Sequence, residues 1–367
     1  AIYVVLSQIT NVGLYYSVLN FTSDPAYKKT QKIDSIFSAL LFGFVISIPI
    51  IILIKNNYNH FSYLFDSDYV GNAVHISSYA LGFFSANKIL IAGLNGLGKL
   101  FEVAIFNAIR PILAVSFLVA VIFFDLDQIK IFYMFLFSET ILFTIILTYY
   151  KVNNNFPKLY NNIPKYFRWH IKYGLKSIPN ALLIEFNPKV DIMLIGYVFS
   201  DYIAGMYSIA SMVAEGQNQI PQIFMVNLNH RISKLYKKKK ITILHKLIKN
   251  TRKFIYIGSF IAFLISNISI AFIIYGFQSY NDYFMILNFN LILTTGTLLF
   301  SGYYPFQMIF TQNNYPGSFT IFLLFVFLFN IFFSVILIKY FSFYGIAFGT
   351  ALTSFATIFF LKYFTRF

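Results

Sequence analysis

The chain has 367 residues, 58% of them hydrophobic and 11% charged, with a mean hydropathy of +0.68 and a formal net charge of +15. A water-soluble globule of this length does not carry so much apolar surface, so the composition places the protein in lipid. It contains no cysteine, which excludes disulfides, thiolate metal sites and cysteine nucleophiles. The five histidines show no ligand spacing: His60, His170, His230 and His245 fall in loops or at segment ends and His75 is alone, so neither metal nor cofactor is expected.

In chain order, apolar windows predict helices near residues 1–20, 34–54, 71–97, 100–124, 129–150, 170–199, 202–229, 252–275, 282–311, 314–339 and 343–364. The fold class is therefore all-α integral membrane, with about eleven transmembrane helices. The clearest is Ile321 to Ile338, IFLLFVFLFNIFFSVILI, whose only polar side chains are Asn330 and Ser334. About 20 such residues cross the roughly 30 Å hydrocarbon layer.

Basic residues set the orientation. Lys28, Lys29 and Lys32, then Lys99, six residues from Lys151 to Lys176, ten from Arg231 to Lys253, and finally Lys362 and Arg366 occupy alternate connections. The other connections hold Lys55, Lys130 and Lys339, giving 22 against 3, with Lys88, Arg110 and Lys189 left inside spans. The positive-inside rule then puts the C-terminus in the cytoplasm and Ala1 outside. Because the chain opens on Ala within an apolar segment, a preceding first helix is expected to be missing. A secretory signal is the competing reading of residues 1–20, but no basic leader or small-residue cleavage site supports it.

The stretch KVNNNFPKLYNNIPKYFRWHIK mixes Asn, Pro, basic residues and interfacial aromatics. It divides the chain into an N-terminal bundle at 1–150, a cytoplasmic linker at 151–171 and a C-terminal bundle at 172–367. The arrangement is five plus six helices, and one restored helix would make two bundles of six, a plan found in transporters built from related halves.

Polar residues fall in stripes. Ser208, Ser211, Glu215, Asn218, Gln222 and Asn229 share a face of the seventh helix, with Met225 filling the gap between the last two. Asn180, Asn187 and Asp191 share a face of the sixth, where Pro179 and Pro188 weaken the hydrogen-bond ladder. Glu185 and Lys189 stand four apart in the order that favours an ion pair, so they either neutralise each other and tie helices or line a path. Asp191 and Glu215 have no opposite charge three or four residues away and must pair across helices or take a proton.

In the first half, Ser78, Ser85, Lys88 and Asn95 share a face of the third helix, and Arg110 precedes Pro111 in the fourth. An anion inside the bundle would meet Lys88, Arg110 and Lys189, unless the first two snorkel to headgroups. Asn290, Thr294, Thr297, Ser301, Tyr304 and Thr311 form a further stripe in the ninth helix, though membrane hydroxyls often bond their own backbone.

Two other signals mislead. GLNGLGKL, from Gly93 to Leu100, satisfies G-x-x-x-x-G-K but ends in Leu where Ser or Thr would bind magnesium, and it joins two membrane helices. Its glycines fit close helix packing better than ATP. The run from Arg231 to Lys253 lies between spans, so its partners are anionic membrane lipids rather than nucleic acid.

The segment KVDIMLIGYVFSDYIAGMYSIASMVAE, from Lys189 to Glu215, resembles the start of the second six-helix half in Wzx-like polysaccharide flippases of the multidrug/oligosaccharidyl-lipid/polysaccharide exporter superfamily. The matching positions are Asp191, Gly196, Gly205, Tyr207 and Ser208. This resemblance implies a bacterial inner-membrane flippase for a polyprenyl-diphosphate-linked oligosaccharide, such as an O-antigen or capsule repeat. It implies alternating access driven by a proton or sodium gradient and, as partners, the lipid-linked substrate and other polysaccharide-assembly membrane proteins. Expected roles are Lys88, Arg110 and Lys189 for the diphosphate; Asn180, Asn187, Asn218 and Gln222 for the sugars; and Asp191, Glu215 and Glu185 for ion coupling.

A polysaccharide polymerase or ligase remains the enzymatic alternative, its catalytic groups then falling in the longest outer connection, Lys55 to Val70, with His60, Asp66 and Asp68. A drug exporter of the same superfamily is the third reading, and the three mid-span cations speak against it.

Overall fold

A computed structural model of the chain describes residues 1–153, 163–237, 241–276, 280–307 and 316–365. Among these the regular secondary structure is helical: α1 Ile2–Asn11, α2 Leu14–Ser23, α3 Lys29–Asn56, α4 Tyr58–Phe65, α5 Asp68–Ser78, α6 Leu81–Gly96, α7 Leu100–Phe123 and α8 Tyr133–Val152. There follow α9 Ile163–Val198, α10 Asp201–Lys237, α11 Ile241–Gly276, α12 Tyr280–Ser301, α13 Pro316–Phe341 and α14 Tyr344–Thr365, with short 3-10 turns at Gln128–Phe132 and Tyr304–Gln307.

Within the described residues each predicted window falls on a helix, a helix pair or, for 282–311, a helix followed by a 3-10 turn, but the count of eleven spans is not established. Among the described residues, seven helices are long and apolar enough to cross a membrane, or eight if the bent pair α1 and α2 counts as one span. That pair turns by 54°, where Val12 and Gly13 both take positive φ. The left-handed region is open to glycine at no steric cost. The 71–97 window is likewise divided, because the helical run breaks at Tyr79 and Ala80. Half of the connection from Lys55 to Val70 is α4, a short helix rather than a loop.

The chain divides into two compact units, Ala1–Glu185 and Phe186–Phe367, with the division inside α9. In the first unit, Leu14, Ile36, Ile89, Leu90, Leu94, Leu142, Ile146 and Tyr150 form a core that solvent and lipid do not reach. Tyr150 donates its hydroxyl to the Leu90 carbonyl at 2.8 Å, which satisfies a polar group in the middle of that core. Methyl groups added at Gly93 and Gly96 would overlap Ile36 and Thr22, so these glycines do serve close packing. His170, expected at a segment end, is fully buried in α9, with Nδ1 2.9 Å from the Ser17 hydroxyl and Nε2 3.1 Å from that of Ser35. It ties the start of α9 to α2 and α3.

In the second unit, Ile195, Tyr207, Ala210, Phe289, Ile346 and Ala347 form the core shared by α9, α10, α12 and α14. Lipid tails are as apolar as these side chains, so tight contact and hydrogen bonds rather than the hydrophobic effect hold such helices together. Helices α13 and α14 form an antiparallel hairpin, turned at Ser342 with φ of 52°.

Candidate functional site

The first unit places two cations, Lys88 and Arg110, beside the ring of Phe84. On α6, Lys88 Nζ lies 2.8 Å from Glu185 Oε1 on α9 and 5.3 Å from the Phe84 ring centroid. On α7, the Arg110 guanidinium lies 4.9 Å from the same centroid, with Nε 2.8 Å from Glu139 Oε1 on α8. Asn87 Nδ2 donates to Glu139 Oε2 at 2.8 Å and to the Glu139 carbonyl at 2.8 Å. Glu139 is almost wholly enclosed, while Arg110 Nη2, Asn87 Oδ1 and the Tyr3 hydroxyl are buried with no hydrogen-bond partner. Arg110 Nε touches Glu139 closely but out of line for a good hydrogen bond, so the contact is chiefly one of charge. The result is a carboxylate held by one cation and one amide, beside donors and acceptors with capacity to spare.

The second unit holds two arrangements. Lys189 on α9 pairs with Glu215 on α10, Nζ to Oε1 at 2.5 Å. The sequence allows Glu185 and Lys189 to neutralise each other; the structure instead gives Glu185 to Lys88 and Lys189 to Glu215. Four residues along one helix bring two side chains near each other, but cross-helix partners won because each carboxylate meets a cation on a facing element. Glu215 thus pairs across helices, one of the two alternatives open to it.

Asp191 is buried at 3% exposure. Its Oδ1 accepts from Asn330 Nδ2 at 2.9 Å, and its Oδ2 accepts from the Thr350 hydroxyl at 2.7 Å and the Tyr207 hydroxyl at 3.1 Å. Ser334 in turn donates to Asn330 Oδ1 at 3.3 Å. No cation pairs with Asp191 among the described residues, so every partner it has is neutral. A carboxylate in that setting is a natural place for a proton or a small cation, since the alternative is an uncompensated buried charge.

A second polar cluster joins α10, α11 and α12. Asn290 Nδ2 donates to Asn267 Oδ1 at 2.8 Å, Asn267 Nδ2 to the Thr294 hydroxyl at 3.2 Å and Gln217 Nε2 to the Thr294 carbonyl at 3.2 Å. This absorbs Asn290 and Thr294 from the ninth-helix stripe, while Thr297 and Ser301 bond back to their own helix. Thr311 lies outside the described residues.

Of the expected sugar ligands, Asn187, Asn218 and Gln222 are half-buried, and Asn187 Oδ1 is buried without a partner. The side chains of Asn180 and Asn229 lie outside the described residues. His60, Asp66 and Asp68, the groups a polymerase would use, are all exposed, and none makes an ion pair among the described residues.

Sequence reasoning passed over Glu139, Asn87, Gln217 and Asn267. Glu139 had a signal: it is the sole charge in its apolar run IFYMFLFSETILFTIILTYY, the feature that drew attention to Glu185 and Asp191. Asn330 was visible as an amide in an otherwise apolar span, but nothing in the sequence pairs it with a residue 139 positions away.

A family model described as "Polysaccharide biosynthesis protein" matches residues 1–234. The chain belongs to the polysaccharide biosynthesis protein family. A search of curated proteins finds no match by sequence. Among solved structures, the lipid II flippase MurJ in an inward closed conformation matches with a TM-score of 0.73 at 15% identity, covering 99% of this chain and 78% of that one. The eukaryotic MATE transporter AtDTX14 matches at 0.69 and 14% identity, covering 99% and 84%. A MOP superfamily transporter from Pyrococcus furiosus, whose structure is described by a reversed polarity of its binding pocket, matches at 0.67 and 13%, covering 99% and 84%. This family member is therefore a multi-pass membrane protein with the fold of the MOP-superfamily transporters, as the Lys189–Glu215 resemblance implies.

Proposed function

We propose that the protein is a flippase that carries a polyprenyl-diphosphate-linked oligosaccharide, an O-antigen or capsule repeat unit, across the bacterial inner membrane by alternating access, with its C-terminus in the cytoplasm. The observation that carries this reading is the set of three helix-borne cations, Lys88, Arg110 and Lys189, each paired with a carboxylate in a chain of a polysaccharide biosynthesis family. A cation buried in lipid needs a counter-charge at all times. Glu185, Glu139 and Glu215 supply it at rest, and the substrate diphosphate takes their place during transport. Arg110 is suited to this exchange because its Nη2 has no partner to give up.

Coupling falls to Asp191, whose carboxylate, with the Thr350 and Tyr207 hydroxyls beside it, offers oxygen atoms to a proton or sodium ion. Loading that site neutralises a buried charge and shifts the balance between conformations. Asn187, Asn218 and Gln222 offer the sugars hydrogen-bonding groups. No covalent step is assigned, and the protein acts as a transporter rather than an enzyme, beside other membrane proteins of polysaccharide assembly.

The test is deletion of the gene. Lipid-linked repeats trapped on the cytoplasmic leaflet, with no surface chains, support the flippase. Single repeats at the surface without long chains would make the protein a polymerase instead.

A further inference from the structure

Three elements of the second unit gather cations around one tyrosine ring. The Arg252 guanidinium on α11 lies 3.8 Å from the centroid of Tyr303, in the turn after α12, and 5.9 Å from that of Tyr256. Lys362 Nζ, from the last turn of α14, lies 5.5 Å from the same Tyr303 ring. Tyr256 donates its hydroxyl to the Leu299 carbonyl at 3.1 Å and so fixes the end of α12 that carries Tyr303. The cluster is built from separate helices and stacked in place, unlike the flexible lysines of a loop.

It also lacks an anion. Arg252 Nε is buried with no hydrogen-bond partner, and no ion pair of the described residues includes Arg252 or Lys362. The sequence explains why. From Gly216 to Phe367 there are thirteen Lys and Arg residues and one acid, Asp282. Asp282 sits in the first turn of α12, about 30 Å of helix from Tyr303. Among the described residues of the unit no carboxylate pairs with Arg252 or Lys362, yet an arginine fork with a buried, unsatisfied N–H favours an anion strongly.

We propose that Arg252, Lys362 and the edge of Tyr303 form a binding site for the phosphate of a membrane lipid, separate from Lys88, Arg110 and Lys189. Arg252 grips the phosphate through its fork, Lys362 adds a second charge from the exposed side, and the Tyr303 hydroxyl is free to donate. The position suits a headgroup: Lys362 stands in the last turn of its helix and Arg252 lies near the start of the candidate span Lys246–Ile273, from where long basic side chains reach the boundary of the bilayer where lipid phosphates lie. The phosphate has two possible sources, a bulk anionic phospholipid or a prenyl diphosphate, and the inference holds whether or not the protein transports the latter.

Native mass spectrometry of the purified full chain tests it, with phosphatidylglycerol, phosphatidylcholine and a prenyl diphosphate as separate probes. Phosphatidylglycerol is expected to bind about tenfold more tightly than phosphatidylcholine. The Arg252→Gln/Lys362→Gln variant is expected to lose that preference, while Lys339→Gln keeps it. Tighter binding of prenyl diphosphate that also depends on Arg252 upholds the site and names the second source. Should the double variant fail to fold, Lys362→Gln alone, at an exposed residue, is expected to weaken the preference severalfold. A preference unchanged in either variant overturns the proposal.

Discussion

Arg110 Nε and Glu139 Oε1 lie 2.8 Å apart on the neighbouring helices α7 and α8, with the carboxylate only 3% exposed. Removing one partner of such a pair leaves the other as an uncompensated buried charge, which costs about 3 to 5 kcal/mol, whereas removing both costs far less. Glu139→Leu and Arg110→Leu are each expected to lower the melting temperature of the detergent-solubilised protein strongly, and the double variant to recover most of the loss. Additive losses would mean that the two side chains do not support each other.

The same reasoning separates two pairings of Glu185. Its partner is Lys88 at 2.8 Å, 97 positions away, rather than Lys189 on the same helix. A double-mutant cycle between Lys88 and Glu185 is expected to show a coupling of about 1 kcal/mol or more, and one between Glu185 and Lys189 close to none. A large coupling in the second cycle would restore the local pair that the sequence allows.

How much was legible in advance follows from these particulars. The membrane class, the helical windows and the cost of charges such as Asp191 are properties of composition and period, which a sequence displays directly. Partner choice is not such a property. Lys189 could reach Glu185 by helical spacing, but a facing helix brings Glu215 closer, and only the packing decides between them. The His170 contacts with Ser17 and Ser35 lie 153 and 135 positions apart for the same reason. The count of eleven spans is not settled by length and hydropathy, because α9 and α10 combine great length with charged residues and the 71–97 window is two shorter helices.

The amide cluster of α10, α11 and α12 is expected to be structural. Asn267 occupies its centre, accepting from Asn290 and donating to Thr294. Asn267→Leu should destabilise the protein by about 0.6 to 1.7 kcal/mol, the range seen for interhelical hydrogen bonds in membranes. The check is a reversible unfolding titration in detergent micelles, with unchanged stability counting against the cluster.

Asp191→Asn keeps the shape of the buried group and an acceptor for Thr350 and Tyr207, but removes its charge. The variant is expected to insert and fold normally, and to lose the dependence of transport on an imposed proton or sodium gradient. Gradient-stimulated transport at the level of the natural chain would remove Asp191 from the coupling role.

Lys189 belongs both to the Glu215 pair and to the segment that resembles polysaccharide flippases. The most direct measurement reconstitutes the full chain in vesicles carrying a polyprenyl-diphosphate-linked oligosaccharide in one leaflet, and follows its exposure to a glycosidase on the opposite side. Protein-dependent translocation is expected, abolished by Lys189→Glu while the variant still inserts into the membrane. Translocation by Lys189→Glu at the natural rate would take Lys189 out of the diphosphate site, and no translocation by the natural chain would contradict the flippase itself.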